Sequence, residues 1–168
     1  MTLAVDRRSL LRGRIGRAAG EIRPPFSRDE KTFSGLCDGC GACIEACPEK
    51  AIAPGADGRP LLRYRDALCT FCQACGEACP TGAIDSEHGQ SWTAKASIGS
   101  ACLSFNGIVC RACGEHCDDD AIRFKLLAGG RALPLVDETA CTGCLKCALV
   151  CPTGVIRMRR SPQKEIAA

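Results

Sequence analysis

Large aromatic side chains are scarce in this sequence: one Trp, one Tyr and five Phe among 168 residues. One or two domains are expected at this length. Units of about 60 residues are marginally stable unless disulfides or metals staple them. No stretch approaches the roughly 18 apolar residues of a membrane-spanning helix. No Ser/His/Asp constellation, Gly-rich phosphate loop or other substrate-binding signature is present, so nothing in the sequence suggests an enzyme. Histidine is limited to His88 and His116. An export signal is also incomplete. Arg7-Arg8-Ser9-Leu10-Leu11-Arg12 looks like a twin-arginine motif. The apolar region of about 7–15 residues and the cleavage site that should follow are missing, because Arg12, Arg14 and Arg17 interrupt the segment. The expectation is an uncleaved segment on a cytoplasmic protein.

Cysteine is in excess, with sixteen residues. Cys37, Cys40, Cys43 and Cys47 follow the spacing C-x2-C-x2-C-x3-C, and Pro48 comes next. Cys69, Cys72, Cys75 and Cys79 with Pro80 repeat it, as do Cys141, Cys144, Cys147 and Cys151 with Pro152. Cys102, Cys110, Cys113 and Cys117 form a looser copy, in which seven residues replace the first spacer and Asp118 replaces the Pro. The four quartets use every cysteine. This is the spacing of bacterial [4Fe–4S] ligation. Three thiolates from one tight loop can bind three corners of a cubane. The three residues before the fourth Cys make about one helical turn and carry its thiolate away. The Pro then fixes φ and stops backbone hydrogen bonding. Gly39, Gly41, Gly76, Gly114 and Gly143 sit among these cysteines, where the backbone must pass close to a bulky core.

All sixteen cysteines are therefore candidate ligands, and the cofactor expected is four [4Fe–4S] clusters. Zinc sites usually pair two short Cys clusters across a longer spacer, and a disulfide scaffold requires export. Neither describes this recurring unit. Both histidines read as surface or packing residues, since each quartet already supplies four ligands. The formal charge is +3 with thiols neutral. A [4Fe–4S] core with four thiolates carries about −2, so four of them bring the loaded protein to about −5. General nucleic-acid binding is not supported.

Along the chain, residues 1–30 read as a basic N-terminal arm. It carries Arg7, Arg8, Arg12, Arg14, Arg17, Arg23 and Arg28, an apolar stripe of Leu11, Ile15, Ala18 and Ala19, and Pro24-Pro25 to end the helix. Residues 31–87 form a first module. Its predicted elements are a strand at Thr32 to Leu36, a short helix at Cys43 to Cys47, a hairpin around Gly55-Ala56-Asp57-Gly58, and a strand at Ala83-Ile84-Asp85. Residues 88–91 read as a linker. Residues 92–158 form a second module, opening on the alternating stretch Trp92 to Ile98. A hairpin around Gly129-Gly130 and a strand at Val155-Ile156-Arg157 complete it. Trp92 reads as a packing residue at the module boundary. Residues 159–168 are a short tail. The fold class expected is α+β, two tandem (βαβ)2 modules with two clusters each.

Residues 31–158, with their four quartets, resemble two tandem two-cluster bacterial ferredoxins. That resemblance implies crossed ligation, because there the fourth Cys serves the other cluster. Cys37, Cys40 and Cys43 would share a cluster with Cys79, and Cys69, Cys72 and Cys75 with Cys47. Cys102, Cys110 and Cys113 would take Cys151, and Cys141, Cys144 and Cys147 would take Cys117. A narrower resemblance rests on Arg7-Arg8-Ser9-Leu10-Leu11-Arg12, the four quartets and the widened Cys102–Cys110 gap. It is to the NapF family, the ferredoxin-type proteins of periplasmic nitrate reductase systems. It implies a cytoplasmic partner, the precursor of the molybdenum-containing catalytic subunit, matured with this protein's help before export. An electron carrier or electron-transfer subunit of a respiratory complex stays open, because fold does not fix role. Two further expectations remain. The loop from Leu103 to Val109 should leave Cys102 less tightly positioned, and Asp118, Asp119 and Asp120 place negative charge near Cys117. One second-module cluster should therefore have a lower potential than its partner or be lost first in air. Residues 1–28 should help dock the precursor.

Overall fold

The computed structural model describes residues 22–89 and 92–160. It begins with a helix where the sequence suggests a strand. Helix α1 spans Glu30–Leu36. Asp29 caps it, accepting hydrogen bonds from the N–H groups of Lys31 and Thr32 at 3.1 Å each. An Asp cap followed by Glu30 in the first turn is a strong helix start, and it outweighs the β preference of Thr32 and Phe33. Phe33 is fully buried and faces Cys43, Ala83 and Ile84.

Residues just before α1 pair with the end of the first module through an isolated bridge and flanking hydrogen bonds. Asp85 N–H donates to Phe26 O at 2.9 Å and Arg28 N–H to Ala83 O at 3.0 Å. Ser27 forms an antiparallel bridge with Ile84. Leu62 N–H donates to Ile22 O at 2.9 Å. Residues 22–28, assigned from sequence to the arm, thus pack as part of the first module. Residues 1–21, where the sequence predicts a basic helix, lie outside the described residues.

The two hairpins form as the turn signals predict. Strand β1 (Ile52–Pro54) pairs antiparallel with β2 (Pro60–Leu62), Ile52 opposite Leu62. In the second module β4 (Ile122–Leu126) pairs antiparallel with β5 (Ala132–Val136), Ile122 opposite Val136. Strand β3 (Ala94–Ile98) pairs antiparallel with β6 (Ile156–Arg160). The second module therefore closes its first strand on its last, as Ser27 and Ile84 do in the first.

One apolar core spans both modules. Ile22, Ile52, Leu62 and Tyr64 from the first join Ala94, Ala96, Ile156 and Met158 from the second. Met158 N–H donates to Tyr64 Oη at 3.4 Å in the buried interior. The residues between the modules do not separate two beads on a string. Much of this core is alanine and cysteine: Ala51, Ala94, Ala96 and Ala148 are buried in it along with Cys113 and Cys147, while Cys43 and Ala83 join Phe33 and Ile84 in a second, smaller cluster. Among the described residues no helix is long and apolar enough to cross a membrane.

Candidate iron–sulfur centres

Each motif carries its third cysteine on a single helical turn. These turns are α2 (Ala42–Glu45), α3 (Ala74–Glu77), α4 (Ala112–Glu115) and α5 (Lys146–Leu149), holding Cys43, Cys75, Cys113 and Cys147. In the three short-spaced motifs the residues on both sides of the second cysteine are left-handed. The pairs are Gly39 and Gly41, Phe71 and Gln73, Gly143 and Leu145, with φ between 57° and 84°. This double reversal folds each loop tightly around its second cysteine. Three of the six positions are not glycine, so the loop imposes a conformation that an L side chain resists by roughly 1–2 kcal/mol. In the third motif Arg111, at the equivalent position, has φ −127°. The longer loop reaches its cysteine by another route.

That loop is internally tied. Asn106 Nδ2 donates to Ser100 O at 2.9 Å and to Cys102 O at 2.8 Å. The buried Ser104 hydroxyl donates to Cys110 O at 2.7 Å. Cys102 N–H donates to Gly99 O at 3.1 Å, and the Cys102 side chain is buried. Cys102 is thus held by several contacts, not left loose by the seven-residue spacer.

The cysteines gather across motifs. One small cavity is lined by Cys117 together with Cys141, Cys144 and Cys147. A second is lined by Cys47 together with Cys69, Cys72 and Cys75. Burial pushes the Cys43 thiol up to about 11, with Cys79, Cys37 and Cys40 adding to the effect as neighbours. Burial also raises Cys113 to about 11, assisted by Cys102 and Cys110. Cys75 and Cys147 are each pushed to about 12, chiefly by burial and then by Cys69 and Cys141 respectively. Buried thiols crowded by like groups hold their protons until a metal displaces them. The fourth cysteines are treated differently. Burial works against the Cys79 thiolate, but the Ile84 N–H at 3.5 Å and the Thr81 hydroxyl at 3.6 Å lower its pKa overall. Cys151 is lowered likewise against the effect of burial, with the Thr153 hydroxyl 3.6 Å away. Cys47 Sγ accepts from Ala51 N–H at 3.4 Å. Hydrogen bonds to ligand sulfurs also tune cluster potentials.

The donor set fits an iron–sulfur core. None of the sixteen cysteines, all among the described residues, is in a disulfide. Four thiols ring each of the two cavities, as a polynuclear core needs. Cys40 and Cys72 are exposed, so the loops of the first module reach the surface.

The acidic triplet is engaged with the fourth motif. Asp118 pairs with Lys146, and the Thr142 hydroxyl donates to Asp119 at 2.7 Å. The charge expected to act on a cluster is partly met by a cation one residue from Cys147. Both histidines are on the surface: His88 Nδ1 lies 3.0 Å from Asp85, and His116 Nδ1 lies 2.9 Å from Ala112 O. Two residues gain importance that sequence reading did not give them. Arg23 is buried, donates to Pro60 O at 3.0 Å, bonds Glu30 and Asp57, and stacks 4.6 Å over Phe33. Phe71 meets Trp92 edge to face. Trp92 itself lies at the module boundary, as the sequence suggests, and its indole N–H also donates to Gly143 O. A cluster of arginines early in a chain reads as a basic arm, and no local pattern marks Phe71.

Residues 36–83 and 108–159 match the 4Fe-4S dicluster domain family. The second segment begins after Cys102. Over 156 residues the chain is 37% identical to the ferredoxin-type protein NapF of Escherichia coli, covering 93% of this chain and 95% of that one. It is 41% identical over 144 residues to NapF of Haemophilus influenzae, covering 86% of this chain and 82% of the relative. It is 34% identical over 176 residues to the methylamine utilization ferredoxin-type protein MauM of Methylobacillus flagellatus, covering 93% and 74%. The quartets fit [4Fe–4S] chemistry, and the similarity runs along almost the whole chain. The chain belongs to the NapF family of ferredoxin-type iron–sulfur proteins.

Proposed function

We propose that the protein holds four [4Fe–4S] clusters by crossed ligation. In the first module Cys37, Cys40 and Cys43 work with Cys79, and Cys69, Cys72 and Cys75 with Cys47. In the second, Cys102, Cys110 and Cys113 work with Cys151, and Cys141, Cys144 and Cys147 with Cys117. The observation that carries this reading is the pair of cavities lined by one fourth cysteine and the three loop cysteines of the other motif in its module. When bound, the clusters supply one-electron storage and transfer. The polypeptide supplies the loops, buries the thiols and hydrogen-bonds the fourth cysteines. Crossing makes each module one cooperative unit, since no cluster belongs to a single motif.

The protein acts, on this reading, in the cytoplasm on the precursor of the molybdenum-containing catalytic subunit of periplasmic nitrate reductase. It binds that subunit and assists its maturation before export. The basic segment offers the docking element. Its arginines at positions 7, 8, 12, 14 and 17 would be steered to acidic surface. Arg23 and Arg28 are already committed to the first module, to Glu30 and Asp57 and to Asp85. The test is anaerobic co-purification with the precursor. Recovery of the complex, falling with added salt, supports the proposal; no complex at low salt removes it. A second reading, an electron carrier or subunit of a respiratory complex, is favoured by the similarity to a ferredoxin-type protein of methylamine utilization. It would win if nitrate turnover by the mature enzyme required this protein throughout.

A further inference from the structure

Two aromatic rings join the cysteine loops of different modules. Phe71 immediately precedes Cys72 and lines the cavity of Cys47, Cys69, Cys72 and Cys75. It sits at φ 57°, where the first and fourth motifs have Gly39 and Gly143. A glycine would relax that position, yet a large ring is held there against the left-handed penalty. The ring meets Trp92 with centroids 5.5 Å apart and planes at 77°, a favourable edge-to-face contact. Trp92 is the one tryptophan of the chain, and its Nε1–H donates to Gly143 O at 3.0 Å. Gly143 immediately precedes Cys144 and lines the cavity of Cys117, Cys141, Cys144 and Cys147. A Cβ at Gly143 would lie 2.7 Å from Trp92 Nε1 and clash with Ala94 O. The fourth motif is thus shaped to receive the indole.

We propose that Phe71 and Trp92 form the electron bridge between the two modules. The route runs from Cys72 through Phe71 to the Phe71–Trp92 contact, then along the indole to the Nε1–H···O bond and Gly143–Cys144. It contains one ring contact and one hydrogen bond, and otherwise covalent bonds. Tunnelling weakens steeply with distance and less steeply through bonded and packed atoms than through water. One electron leaves a reduced [4Fe–4S]+ core in one module and enters an oxidised [4Fe–4S]2+ core in the other. No bond breaks and no proton moves, and the rings serve as the medium without being oxidised. The bridge would make the two modules one redox unit.

The proposal rests on the cluster ligation proposed above, and the test separates the two. Full-length protein is prepared anaerobically as wild type, Phe71→Leu, Phe71→Tyr and Trp92→Phe. Iron and sulfide counts on the wild type test the ligation. Samples mixed with substoichiometric dithionite and freeze-quenched are then read by EPR for redistribution of spin among clusters. Redistribution several-fold slower in Phe71→Leu, at the wild-type rate in Phe71→Tyr and intermediate in Trp92→Phe is expected. Wild-type rates in both Phe71→Leu and Trp92→Phe at full iron content would overturn the bridge. If Phe71→Leu loses iron, Trp92→Phe decides: slower redistribution sustains the bridge and an unchanged rate removes it.

Discussion

Ser27 forms an antiparallel bridge with Ile84 across the first module, and both are buried. This contact places the end of the arginine-rich stretch inside the fold. Pro24 and Pro25 are also fully buried, and the Ser27 hydroxyl donates to Pro24 O at 2.7 Å. A truncation meant to remove only a docking arm must therefore stop before Ile22.

Deleting residues 1–21 is expected to leave iron content and melting temperature unchanged while weakening precursor binding. Deleting residues 1–28 should lower the melting temperature and cost iron from the first module, because each fully buried Ile-sized side chain contributes about 1.5–3 kcal/mol. Thermal denaturation and iron assays on the two truncations check this. Equal stability would mean that residues 22–28 add little to the module.

Arg23→Met should destabilise the first module by about 1.5–3 kcal/mol, the range for hydrogen bonds to a charged group. The side chain joins Pro60 O, Glu30, Asp57 and the Phe33 ring. Arg23→Lys should recover little, since an ammonium cannot reproduce the planar fork or the stacking. Anaerobic denaturant titration measures both. Wild-type stability in Arg23→Met would show the buried charge to be offset by its own desolvation.

The hairpins were legible because Gly-rich turns sit between short apolar runs, and the cysteine spacing named the candidate ligands directly. The first strand was misplaced because Thr32 and Phe33 favour β structure locally, while Asp29 and Glu30 start a helix. Seven arginines in the first 28 residues read as one basic arm, and burial of Arg23 depends on Glu30, Asp57 and Phe33 arriving from elsewhere in the fold. The left-handed backbone at Phe71, Gln73 and Leu145 has no signal in those residue types.

Charge beside the fourth motif gives a third prediction. Lys146 pairs with Asp118, and that pairing raises the lysine's pKa. Lys146→Gln leaves Asp118 uncompensated beside Cys117 and should lower the potential of the nearest cluster, because negative charge disfavours an added electron. Asp118→Asn should raise it. EPR-monitored redox titration reads both, and potentials unmoved in either variant would show that the pair is screened from the cluster.

Cys47→Ser tests the crossing genetically. Its fourth-ligand position belongs to the cavity of Cys69, Cys72 and Cys75, so the second motif's cluster should be perturbed first. Serine retains the shape but is a poorer iron ligand, and an altered EPR signal or partial iron loss is expected. A perturbation confined to the cluster of Cys37, Cys40 and Cys43 would contradict crossed ligation.

The most direct test is a crystal structure of the anaerobically prepared protein with anomalous scattering measured at the iron edge. The account predicts about sixteen iron atoms in four cubanes. Cys79 should be bound with Cys37, Cys40 and Cys43, Cys47 with the second motif, Cys151 with the third and Cys117 with the fourth. Four consecutive cysteines around each cluster, or single metal ions in place of cubanes, would contradict it.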